Sequence, residues 1–147
     1  MKNVIREIED KDVPLLFPVR IVTRENRMSM EELASIGITV ESIREAIKGS
    51  HKGWLSEEGG RVVGFAMGDF DDAEMTVIAL LPEYEGKGIG SQLLTNVENW
   101  LHSKGCNEIW LTTDIDQNFR AYSFYKKHGW QDSEIKNGCR YMAKAFT

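Results

Sequence analysis

Residues 4–8 interleave apolar and charged side chains, as a strand with one buried face does. Asp10 or Asp12 can cap a helix running to about Thr23; Pro14 suits its first turn, whereas Pro18 is expected to kink or end it. Two better-marked helix starts follow. Ser29 and Glu32 form a capping box, with Met28 and Leu33 placed as a hydrophobic staple. Thr39 repeats the arrangement with Ile38 and Ile43, and its helix carries Val40, Ile43 and Ile47 on one face before Gly49 stops it.

From about Trp54 the pattern turns to strands. Glu57-Glu58-Gly59-Gly60 reads as a hairpin turn before the apolar run at residues 62–67, and residues 69–72 form a second turn. Residues 74–81 make a β-rich run closed by Pro82. A glycine-rich segment then leads into a helix with Ile89, Leu93, Leu94, Val97, Trp100 and Leu101 on one face, ending at Gly105. Residues 108–114 form the next strand, Asn118 is placed to cap a helix ending near His128-Gly129, and strands at 130–136 and 139–145 flank the turn Asn137-Gly138. Counting the two capped helices, the expected order is β-α-α-β-β-β-α-β-α-β-β. That is an α/β chain with a mixed central β-sheet flanked by helices, because short hairpins and helical crossovers alternate.

A chain of 147 residues suits one domain with a core large enough to fold without metal or disulfide staples. A formal charge of −5, with no cluster of Lys and Arg, offers no surface to track phosphates. No nucleic-acid partner is expected, and a cationic one such as an amine fits better. Cys106 and Cys139 lie far apart and outside any C-x-x-C pattern, the usage of small buried thiols in a reducing compartment. His51, His102 and His128 lack metal-ligand spacing, so no metal is expected. The N-terminus has no apolar signal core, and the longest apolar run, residues 77–82, is far shorter than the roughly 20 residues a spanning helix needs. A cytoplasmic protein with no membrane partner is the expectation. Trp54, Trp100, Trp110 and Trp130 fall on apolar faces or strands and are expected to pack in the core.

The informative chemistry lies between residues 74 and 101. Gly86, Gly88 and Gly90 stand at a helix start, where glycine lets the backbone approach a ligand and the first N–H groups have no partner inside the helix. With the helix dipole added, this is a site for a phosphate or pyrophosphate. A plain tight turn is the other reading of the same glycines. A nucleotide P-loop is excluded because Lys87 sits between glycines and no Gly-Lys-Ser/Thr occurs. A dinucleotide fingerprint is excluded because G-x-G-x-G lacks the G-x-G-x-x-G register.

Two longer motifs carry a resemblance. Leu81-Pro82-Glu83-Tyr84-Glu85-Gly86-Lys87-Gly88-Ile89-Gly90-Ser91-Gln92-Leu93-Leu94 resembles the acetyl-CoA loop of GNAT acetyltransferases, [RQ]-x-x-G-x-[GA]. Downstream, Asn118-Phe119-Arg120-Ala121-Tyr122-Ser123-Phe124-Tyr125-Lys126-Lys127-His128-Gly129-Trp130 resembles their second motif, N-x-x-A-x-x-[LF]-Y-x-x-x-G-[FW]. The motifs stand in the family's order, separated by a strand. The likeness runs from about Trp54 onward, and the first fifty residues match only in topology.

This resemblance implies a single GNAT-like domain over residues 1–147, acetyl-CoA as cosubstrate without a metal, and direct acetyl transfer to a primary amine in a ternary complex. The acceptor is a small molecule or a peptide, and because many relatives dimerise a homodimer is among the expected assemblies. Carried over residue by residue, backbone groups of Ile78, Ala79 and Leu80 pair with the pantetheine arm as an added strand. Amides of Gly86, Lys87, Gly88, Ile89, Gly90 and Ser91 hold the pyrophosphate. Asn118 contacts the cofactor near the acetyl end, and Tyr125 reaches its sulfur, in a gap where the fourth and fifth strands splay apart. Glu85 departs from the family's Gln or Arg. A carboxylate some 6 Å from a pyrophosphate in watery surroundings costs under about 1 kcal/mol, and Lys87 is placed to offset it.

An amine with a pKa of about 10.4 is protonated at neutral pH, and freeing its lone pair costs roughly 4–5 kcal/mol. A base, or a water chain to one, is therefore needed. Glu74 sits at the offset of the fourth-strand Glu that serves histone-type relatives; its other reading is an extension of the acidic turn Asp71-Asp72. Other relatives place a Glu on the fifth strand, where this chain has Thr112 and Thr113, leaving Asp114 or Asp116 as substitutes. Tyr125 is placed to hydrogen-bond the departing thiolate, or else is an aromatic packed on the sheet. Two rival functions fit the same residues: a non-catalytic acyl-CoA-binding module, and a protein lysine or N-terminal acetyltransferase. Residues 23–49 and the last hairpin, which shape the acceptor pocket in this family, carry no motif.

Overall fold

The computed structural model describes residues 3–23 and 27–146. Its strands are β1 (Asn3–Glu7), β2 (His51–Glu58), β3 (Arg61–Asp69), β4 (Glu74–Leu80), β5 (Glu108–Thr113), β6 (Gln131–Lys136) and β7 (Cys139–Ala145). They form one seven-stranded sheet in the order β1-β2-β3-β4-β5-β7-β6, antiparallel at every junction except β4–β5. The helices are α1 (Val13–Arg20), α2 (Met30–Ser35), α3 (Val40–Lys48), α4 (Ile89–Ser103) and α5 (Arg120–Lys127). The mixed sheet flanked by helices is the architecture the sequence implies.

The element order follows expectation with one addition, since α1 is a full element and three helices separate β1 from β2. Pro18 removes one N–H from α1. The helix persists because Leu16, Phe17 and Val19 are buried, and it ends at Arg20 rather than near Thr23. Both capping boxes form. Glu32 N–H donates to Ser29 Oγ at 3.1 Å and Ser29 N–H to Glu32 Oε1 at 3.0 Å. At α3 a serine takes the glutamate's part: Ser42 N–H donates to Thr39 Oγ1 at 3.1 Å and Thr39 N–H to Ser42 Oγ at 2.9 Å. Asn118 does not cap α5. That position falls to Phe119, without a side-chain cap bond. Cys106 and Cys139 are free, and half-buried rather than buried.

β3 is buried from Val62 to its end because it is covered on both faces. On one side α1 sets Leu16 and Val19 against Leu55, Val63, Phe65 and Met67, with Ile43 and Ile47 of α3 alongside. On the other, Leu93, Leu94, Val97 and Leu101 of α4 pack with Met75, Ile109, Leu111, Trp130 and Met142. Gly68 permits this approach, since a Cβ there would lie 2.7 Å from Val97 Cγ1. A buried polar network pins α4 to the far end of the sheet. Glu98, 6% exposed, accepts from Trp130 Nε1 at 2.8 Å and from Lys144 Nζ at 3.0 Å, and the same Nζ donates to the His128 carbonyl at 2.8 Å. Removing either donor leaves the buried Glu98 carboxylate short of a hydrogen bond, a cost of about 1–3 kcal/mol. No helix among the described residues is long and apolar enough to cross a membrane.

One irregularity positions everything that follows. Met67 faces Val77 while Gly68 faces Met75, so Thr76 stands unopposed as a bulge in β4. Thr76 Oγ1 donates to the Met67 carbonyl at 3.0 Å and secures it. A bulge bends its strand, and the parallel ladder of β4 with β5 is a single rung, Glu74 opposite Trp110.

Candidate active site

Beyond that rung β4 and β5 part around a cleft of about 730 Å³. Ile78, Ala79 and Leu80 line one wall, and Thr112 and Thr113 the other. Among the described residues no strand pairs with β4 on this side past Glu74, so its edge can pair with an extended ligand. The floor is the glycine loop: Gly86, Gly88, Gly90 and Ser91 all line the cleft. Gly86 and Gly88 have φ of 77° and 84°, and a Cβ on either would meet nothing within 4 Å. The loop is therefore an open cradle whose curvature needs glycine. Gln92 N–H closes the first turn of α4 onto Gly88 O at 3.2 Å, so the amides of Ile89, Gly90 and Ser91 precede the helix's first internal bond. A pyrophosphate fits such an end.

The opposite lip is α5. Asn118, Arg120, Ala121, Phe124 and Tyr125 line the cleft. Among the described residues no group of three or more His, Cys, Asp or Glu is placed to hold a metal ion. The family model for the acetyltransferase (GNAT) family matches residues 21–130, well over half of the chain.

The chain belongs to the GNAT family.

Within it, 75 residues are 37% identical to an uncharacterized N-acetyltransferase of Mycobacterium tuberculosis, covering 49% of this chain and 47% of that protein. Over 81 residues the chain is 32% identical to the ribosomal protein bS18-alanine N-acetyltransferase of Haemophilus influenzae, covering 54% of each. The match thus spans about half the length of these curated relatives. The structure of a PaiA N-acetyltransferase from Thermoplasma acidophilum, solved in complex with coenzyme A, has a TM-score of 0.85 over 99% of this chain and 100% of that one, at 24% identity. The ribosomal-protein-S18-alanine N-acetyltransferase of Escherichia coli gives 0.76 over 99% and 95%, at 19% identity. These two share the GNAT fold with it.

Several residues of this GNAT chain lie elsewhere than the sequence suggests. Lys87 does not face Glu85. Its Nζ lies 5.4 Å over the Tyr84 ring, and the side chain is not part of the cleft wall. Among the described residues, Arg120 is the cation paired with Glu85, with Nε 3.7 Å from Glu85 Oε1. Ile89, by contrast, points into the core as its place on the apolar face implies, and leaves its amide for a ligand. Asp114 and Asp116 sit in the β5–α5 loop outside the cleft wall, each carboxylate accepting a nearby backbone N–H at 2.9 Å.

Glu74 opens β4 and also lies just outside the lining residues. Its neighbour Met75 packs toward α4, so strand alternation turns Glu74 to the α1 face, beside Asp69 across the ladder. Burial first, then the charges of Asp72 and Asp69, push its carboxyl up to about 6. Asp69 goes the other way. Its burial is outweighed by hydrogen bonds from Ser50 and the Asp71 amide and by nearby His51, which hold it below the usual carboxylate range. Tyr125 is 7% exposed, and burial alone pushes its phenol well above the ordinary value.

Sequence reasoning missed a set of contacts on one face of α5. Arg120, Phe124 and His128 are spaced i, i+4, i+8, and each meets the glycine loop. Arg120 reaches Glu85, the Phe124 ring lies 3.5 Å from where a Gly90 Cβ would stand, and His128 Nε2 lies 2.8 Å from Ser91 Oγ. Their helical spacing was the available signal. Arg20 and Thr23 also line the cleft, and no motif marked them.

Proposed function

We propose that this chain is an acetyl-CoA-dependent N-acetyltransferase that transfers the acetyl group directly to a primary amine within a ternary complex. The observation that carries the reading is the bare edge of β4 running into a glycine cradle, with Tyr125 on the facing wall. Acetyl-CoA supplies an activated thioester carbonyl and a thiolate leaving group. Backbone groups of Ile78, Ala79 and Leu80 take up the pantetheine as a short strand. The amides from Gly86 to Ser91, Lys87 and Ile89 included, hold the pyrophosphate at the positive end of α4. Asn118 orients the acetyl end. Glu74 first takes a proton from the ammonium, directly or through water, and frees the lone pair. As the N–C bond then forms and the C–S bond breaks, the nitrogen sheds its second proton to solvent, and the sulfur leaves as a thiolate that accepts a hydrogen bond from Tyr125.

The cofactor half of this reading predicts that Gly88→Val weakens acetyl-CoA binding by roughly 1–3 kcal/mol, through lost amide contacts and a branched residue forced to positive φ. Calorimetry on wild type and variant reads this directly, and equal affinity would remove the loop from the site. The transfer half is tested by free-thiol release from acetyl-CoA in the presence of a panel of amines. Binding without release for any acceptor would make the chain a non-catalytic acyl-CoA-binding module.

Similarity to the bS18-alanine N-acetyltransferase of H. influenzae favours a second reading, in which the acceptor amine is a protein N-terminus or lysine. Competition separates the two. A small-amine enzyme loses peptide labelling when small amines are added, whereas a protein-directed one does not.

A further inference from the structure

We propose that His128 is a positioning residue for the cofactor pyrophosphate, coupling phosphate binding to its own protonation through Ser91. The inference rests on the cofactor reading above. Ser91 lines the cleft in the first turn of α4, and its Oγ lies 2.8 Å from His128 Nε2. Both atoms are able to donate, but one hydrogen serves the bond between them. When Nε2 carries no proton, Ser91 gives its hydrogen to the ring and shows only lone pairs to the cleft, which repel a phosphate oxygen. When Nε2 is protonated the ring donates to Ser91 Oγ, and the serine hydrogen turns toward the phosphate. The neutral Nε2–H tautomer and the imidazolium both achieve this, and the imidazolium adds a positive charge close to the cradle.

Both the ring and the backbone of His128 are anchored. The Phe124 ring packs on it with centroids 4.6 Å apart, and Lys144 of β7 donates to the His128 carbonyl at 2.8 Å. Lys144 is in turn tied to Glu98 of α4 at 3.0 Å. Among the described residues, the other charges along the histidine's helix, α5, are Lys126 and Lys127, with the Glu85–Arg120 pair two turns away. Lysine, arginine and ordinary carboxylates change charge outside the histidine range. Glu74, with its carboxyl raised to about 6, is at the opposite end of β4 from the glycine loop.

The probe is 3′-dephospho-CoA, which keeps the pyrophosphate and lacks the terminal phosphate that titrates near neutrality. Calorimetry between pH 5.5 and 8.5 is expected to show wild-type affinity rising about three- to tenfold as pH falls, from one added charge at short range in screened surroundings. Proton uptake should accompany binding, visible as a dependence of the measured heat on buffer ionisation enthalpy. His128→Gln retains a neutral donor for Ser91, and its affinity is expected to be flat across this range, without proton uptake. Equal pH dependence in wild type and His128→Gln, or no proton uptake in wild type, overturns the coupling while leaving the cofactor reading intact. No binding by wild type overturns both. Should His128→Gln fail to fold, ring ¹⁵N shifts of the wild-type protein at pH 7 decide. The Nε2-protonated fraction of His128 must rise when 3′-dephospho-CoA is added, and no rise overturns the coupling.

Discussion

Replacing Tyr125 with Phe is expected to lower turnover by about 10²–10³-fold, the cost of removing one donor to a developing anion, while acetyl-CoA affinity stays nearly unchanged. The phenol is buried against Phe124 and Trp130, with ring centroids at 5.5 Å and 6.0 Å, so the substitution keeps shape and packing. Burial pushes the phenol above its ordinary range, and it therefore stays protonated at any working pH. A thiol with a pKa of about 8.5 is already a stronger acid than free tyrosine. Raising the phenol further makes complete proton transfer to the sulfur still less favourable. That leaves hydrogen-bond donation, which is lost with the hydroxyl. Steady-state kinetics with an acceptor found by thiol release, paired with calorimetry, test the split between turnover and binding. A full-rate variant would return Tyr125 to the role of an aromatic packed on the sheet.

Glu74→Gln has two expected signatures with opposite signs. Turnover near pH 7 should fall by about 10²-fold, at the low end for a general base. The deficit should shrink at higher pH, because each unit toward the amine's own pKa supplies about tenfold more free base without the enzyme's help. Stability should move the other way. The folded carboxyl is pushed up to about 6 from an ordinary value of 4.5, so between those values the native state binds the extra proton. Wild-type stability therefore declines as pH rises through that window, and the ionised side chain costs the fold its full amount above it. Discounted for the solvent screening of a half-buried group, this is about 1 kcal/mol, which the glutamine recovers at neutral pH and not below pH 4.5. Melting curves at both pH values check it. A turnover ratio constant with pH would mean that Glu74 positions the acceptor's charge, and a ratio near one would leave it a turn residue. A melting temperature unchanged at pH 7 would remove the physical basis for a raised carboxyl.

Where local chemistry decides, the sequence was a sufficient guide. The two capping boxes, Gly49 as a stop, and the glycine loop opening α4 are short-range features written in residues three or four apart. The resemblance to the family is what pointed to Ile78, Ala79, Leu80, Asn118 and Tyr125, and all five line the cleft. What escaped depends on contacts between distant segments. α1 survives Pro18 because of what it buries against β3, a fact absent from its own eight residues. Among the described residues, Glu85 pairs with Arg120, thirty-five positions away on α5, while Lys87, two away, lies over the Tyr84 ring. Asn118 has the chemistry of a helix cap, yet α5 begins one residue later than that role requires.

The single rung between β4 and β5 leaves two plates hinged edge to edge, and such a hinge does not set its own opening. What sets it is the material wedged behind. Leu93, Val97 and Leu101 of α4 press on Met75 of one plate and on Ile109 and Leu111 of the other. These side chains act as a spacer, and their summed volume fixes the aperture. Interiors packed to crystal density pass on the gain or loss of even one methylene. Val97 and Leu111 do not themselves line the cleft, yet a change of size at either one resets the distance between its sides.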